Sequence, residues 1–116
     1  MSYSINLSNN NNVNQPDYFD IPDIPNTNGG WPNITYNLAA FFAALPCNRP
    51  TTWTNKQAKD LIQPLANSIK LVTNHPDQYV QYNAPNGWGN IENGNEFLTE
   101  CLILFTLYPD KYIICD

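Results

Sequence analysis

A chain of 116 residues, 42% of them apolar, fits a single domain with a modest core. Ten acids against five bases give a net charge of −5, and the bases form no cluster able to track a phosphate backbone. This argues against general nucleic-acid binding, and acids spread this thinly do not mimic nucleic acid either. Charged residues are only 13% of the chain, and asparagine, at 19 positions, takes much of their place as a compositional bias.

Cys47, Cys101 and Cys115 are odd in number and far apart, which speaks against a disulfide framework and for a reducing compartment. The first residues lack the basic and apolar regions of a secretory signal, and no apolar run approaches the ~20 residues of a membrane span. The expectation is a cytoplasmic protein without a membrane partner.

Tyr3-Ser-Ile-Asn-Leu7 alternates apolar and polar residues and predicts a half-buried strand. Residues 8–32 form an extended asparagine- and proline-rich arm, with too many breakers for a helix but with Tyr18, Phe19, Ile21, Ile24 and Trp31 apolar enough to lie on the core. A first helix is expected from Asn33, whose side chain caps it, to Pro46. Ile34, Leu38, Phe41, Phe42 and Leu45 form its inward stripe.

Thr54-Asn-Lys-Gln57 matches a capping box and opens a second helix to about Thr73, kinked at Pro64. A third helix covers roughly Ile91 to Tyr108, with Phe97, Leu98, Cys101, Leu102, Phe105 and Tyr108 inward. Pro109-Asp110 turns into a β-rich run, Lys111 to Cys115, which pairs most cheaply with the N-terminal strand. The expected fold is α+β, a single domain of residues 1–116 with three helices packed on a small sheet that joins the termini.

Two segments stand out as candidate ligand-binding sites. Tyr36 and Asn37 lie off the apolar stripe at a helix start, where a phenol and a carboxamide beside positive backbone amides suit a polar or anionic ligand, with Asn33 at the cap. Asn86-Gly87-Trp88-Gly89 puts an amide and an aromatic ring on a glycine-flanked loop, where Trp88 serves either as a platform for a ligand or as a plug in the core. Arg49, the only arginine, is a candidate clamp for phosphate or carboxylate, its alternative being a plain surface charge.

His75 at a helix end reads as a dipole complement, Cys101 as core, and Asp17, Asp20 and Asp23 as solvated turn residues. One histidine and three scattered cysteines give no metal-ligand spacing, and no nucleophile is paired with a base, so neither metal, cofactor nor catalysis is expected.

Met1-Ser-Tyr3, Gly29-Gly30, Asn33-Ile-Thr-Tyr-Asn37, Thr54 with Pro64, Asn86-Gly-Trp-Gly89 and Pro109-Asp110 occur in an order that resembles a group of small bacteriophage and bacterial proteins, mostly without assigned activity. The resemblance covers most of residues 29–116 and implies a phage-type genomic context and this fold. It supplies no activity, but Asn33, Tyr36, Asn37 and Trp88 are the residues that define the pattern.

The resulting expectation is a non-catalytic protein that binds a small polar or nucleotide-like molecule, with sequestration of a nucleotide-derived host immune signal as its anti-defence role. The alternative is a protein–protein interaction module that inhibits a host enzyme through the apolar residues of the arm. Homo-oligomerisation is left open.

Overall fold

β1, Ser2–Ser8, is the centre of the sheet because it finds a partner on each edge. The structure, a computed structural model, describes residues 2–12, 14–19, 31–83 and 89–115. Tyr3, Ile5 and Leu7 point inward from β1 and are buried, while Ser2, Ser4 and Asn6 lie on the other face. β2, Asn33–Thr35, and β3, Tyr112–Cys115, flank it, giving a three-stranded antiparallel sheet in the order β2-β1-β3. Ile5 lies opposite Cys115 and Leu7 opposite Ile113, so the N- and C-terminal strands pair as expected.

The helices lie on the inner face of this sheet. They are α1 (Ala39–Ala43), α2 (Lys59–Asn74), α3 (Pro76–Tyr79) and α4 (Ile91–Leu107). Short 3-10 turns at Tyr36–Leu38, Pro50–Trp53 and Val80–Tyr82 join them. α2 and α4 pack along each other, and α2 runs continuously through Pro64.

Two local expectations are corrected. Asn33 does not cap a helix. It belongs to β2 opposite Ser4, and the cap of the following 3-10 turn is Thr35, whose hydroxyl accepts the Asn37 N–H at 3.2 Å. Ile34 still points inward because it pairs with Tyr3 across the sheet, so one residue satisfies both the helical spacing and the strand.

Nor does Thr54 start α2. Residues 55–59 instead hydrogen-bond along the free edge of β3 and the turn before it. Asn55 N–H donates to Ile113 O at 3.0 Å, Ile113 N–H to Lys56 O at 2.8 Å, and Ala58 N–H to Lys111 O at 2.8 Å. Thr54 Oγ1 accepts the Cys115 N–H at 3.2 Å, which closes an edge that would otherwise be open to aggregation. Asn48 and Asn55, at φ 61° and 75°, make the turns around Pro50–Trp53 that allow this, a conformation asparagine tolerates better than most residues.

The core is aromatic. Trp53, Phe41, Phe42 and Phe105 are fully buried, and Trp53 stacks on Phe97 at 6.2 Å and 16° while meeting Phe105 edge-on. Gly94 lets α4 approach α1: a methyl group there would lie 2.7 Å from Phe41 Cε2. Alanine at an exposed helix position gains up to about 1 kcal/mol over glycine, but here the neighbour is a buried ring that has nowhere to move. Gly94→Ala should therefore be net destabilising, by about 1–2 kcal/mol from an overpacking cost of about 1–3. A urea titration that shows equal or greater stability would refute this packing. Phe105→Ala, which empties a fully buried site, should cost about 3–5 kcal/mol in the same assay.

Candidate functional site

The first candidate segment surrounds the start of β1. Tyr36 is half-buried and its ring lies 4.4 Å from that of Tyr3, inclined at 55°. Tyr3 in turn meets Phe42 edge-on at 6.1 Å, so the Tyr36 ring is the outer end of an aromatic series rooted in the core. Burial pushes the Tyr3 phenol above its ordinary range, and the positive charge of Arg49 partly offsets this. Arg49 is itself exposed, so the chain's single guanidinium acts on Tyr3 from the solvent side. Asn33 is exposed on the outer face of the sheet, where its amide donates to Ser4 Oγ at 2.7 Å and Ser2 Oγ at 3.2 Å.

The second segment is anchored at both ends. Asn83 Oδ1 accepts the Ile91 N–H at 2.8 Å, and Asn90 Oδ1 accepts the Asn93 N–H at 2.8 Å, so two asparagines cap α4. Gly89 sits against the first segment. A Cβ at this position would fall 2.9 Å from Thr35 Cγ2, 3.4 Å from Leu38 Cγ and 3.6 Å from Asn37 Cβ. Asn37 and the last residue of the Asn86–Gly89 motif are therefore neighbours in space. Asn86 and Trp88 lie outside the described residues.

Of the expected site residues, Tyr36 packs on Tyr3, which the sequence marks only as a strand residue, and Arg49 reaches it through its charge alone. Asn37 faces Gly89, and Asn33 lies on the opposite side of the sheet from the Tyr3 ring. The signal that would have implicated Tyr3 is the two-residue periodicity of β1, which sets it on the face toward Ile34 and its neighbours.

An open cleft of about 660 Å³ is lined by residues of α2, α3 and α4 and by Val80, together with the loop anchors Asn83 and Asn90. Its size falls within the roughly 300–1,000 Å³ of small-molecule sites. Its charged lining is Asp77, Glu92 and Glu96. Asn95 also lines it, with an Oδ1 that is shut off from solvent and has no hydrogen-bond partner, while its amide nitrogen lies 3.5 Å from Thr73 Oγ1. A buried acceptor left unpaired costs about 1–3 kcal/mol. A smaller cleft of about 430 Å³ carries His75 beside Lys70 and Asn74, with His75 at the C-terminal end of α2 as expected.

The thiols of Cys47 and Cys101 are not poised for nucleophilic chemistry. Burial pushes Cys47 up to about 11, against a weaker opposing effect of its hydrogen bond with Ser68, and burial pushes Cys101 well above the ordinary thiol range.

Comparison with protein-family models, curated proteins and solved structures returned no match, so nothing about this site is inherited by likeness.

Two measurements check this geometry. Asn90→Ala should lower stability by about 1 kcal/mol through loss of an N-cap, and Asn83→Ala by a similar amount; caps without effect would mean that the loop anchors are not formed. The folded protein holds its thiol protons more tightly than the unfolded chain, whose thiols titrate near about 8.5. The stability this contributes is intact below that pH and is lost as pH rises toward the folded Cys47 value of about 11. Tm should fall between those pH values, and Cys47→Ala should flatten the fall.

Proposed function

We propose that this protein captures a small polar, nucleotide-like molecule without transforming it, where the Asn33–Asn37 segment meets the loop ahead of α4. The observation that carries this reading is the packing of Gly89 on Thr35, Leu38 and Asn37, which brings together two motifs about fifty residues apart in sequence. Trp88 is the adjoining residue and supplies the stacking platform in this proposal. Tyr36 and Asn37 supply a second ring and a carboxamide, and Arg49 supplies the positive field for an anionic group. Rings and amides of this kind suit a nucleobase and ribose. Sequestration of a host immune signal is the role we propose for such a site, on the phage-type genomic context that the resemblance implies.

The competing reading is an interaction module that uses the arm. Within the described part of the arm Tyr18 is 51% exposed, whereas Phe19 is held 4.8 Å from the Tyr108 ring with Lys111 Nζ 4.6 Å above it. Only Tyr18 of this pair is free to meet a partner.

The two readings separate by calorimetric titration of the protein with cyclic and linear nucleotides. Stacking on a base is worth roughly 1–3 kcal/mol, so Trp88→Ala should weaken capture about tenfold or more with the fold intact. Asn37→Ala should cost about the 1 kcal/mol of one hydrogen bond, and Tyr18→Ala should change nothing. If no nucleotide binds, or if Trp88→Ala is neutral, the capture reading fails; loss of a protein partner on Tyr18→Ala would favour the module instead.

A further inference from the structure

We draw no further inference here: the strongest candidate, the apolar solvent face of α4 around Ile103 and Leu107, carries nothing, because Leu107 is its single exposed large apolar residue and nothing in the structure shows what covers it.

Discussion

The rest of the fold depends on the Trp53 indole finding an acceptor inside the protein. The ring is fully buried, and its N–H donates to Cys47 O at 2.7 Å. A buried indole N–H without that bond would carry a desolvation cost as large as many whole mutations. The same residue is fixed from its other side, since Cys47 N–H donates to Ser68 Oγ at 3.0 Å while that hydroxyl donates to Pro64 O. One residue of the loop after α1 thus ties α1, α2 and the Trp53 turn together, with every polar atom of the clasp satisfied. The hydrophobic stacking of Trp53 on Phe97 follows from this placement, and so does the approach of residues 55–59 to β3 directly after it.

From Trp53 the aromatic contacts continue outward without a break, through Phe97 and Phe42 to Tyr3 and then Tyr36. A ring at the end of such a series has few rotamers available, so a ligand that meets Tyr36 finds a surface already ordered. Under the capture reading proposed above this matters, because affinity is eroded by whatever must be ordered on association. The opposite anchor is polar: Asn83 and Asn90 hold the ends of the loop by capping α4, a task short amide side chains perform without adding charge.

Much of the fold was legible because burial and periodicity agree over long elements. All five stripe residues from Ile34 to Leu45 are buried, α4 begins and ends within a residue of its expected bounds, and the terminal strands pair. What could not be read were places where a local signal lost to a tertiary one. The Thr54–Gln57 capping box is a real helix-start pattern, yet the open edge of β3 offered those backbone groups more hydrogen bonds than a helix turn would. Asn33 after a proline resembles a cap, but a three-residue strand has too short a pattern to announce itself. Trp53 and Ser68 carry no sequence mark of their role, because the demand they meet exists only once the indole is inside. Gly94 lies in the first turn of α4, and nothing in the chain shows that Phe41 will press against it.

The candidate sites divide along the same line. Tyr36, Asn37 and Arg49 were visible as unusual residue types at element ends, while Tyr3 was hidden in a regular strand. The cleft between α2, α3 and α4 was invisible, since its walls come from elements that only the tertiary fold brings together. Composition also bears on how the acids are placed along α4. In a chain that meets most of its need for polarity with asparagine, solubility does not require glutamate at any particular position. Three glutamates spaced by one helical turn along a single face, in a protein with only five bases, is an arrangement that self-repulsion disfavours.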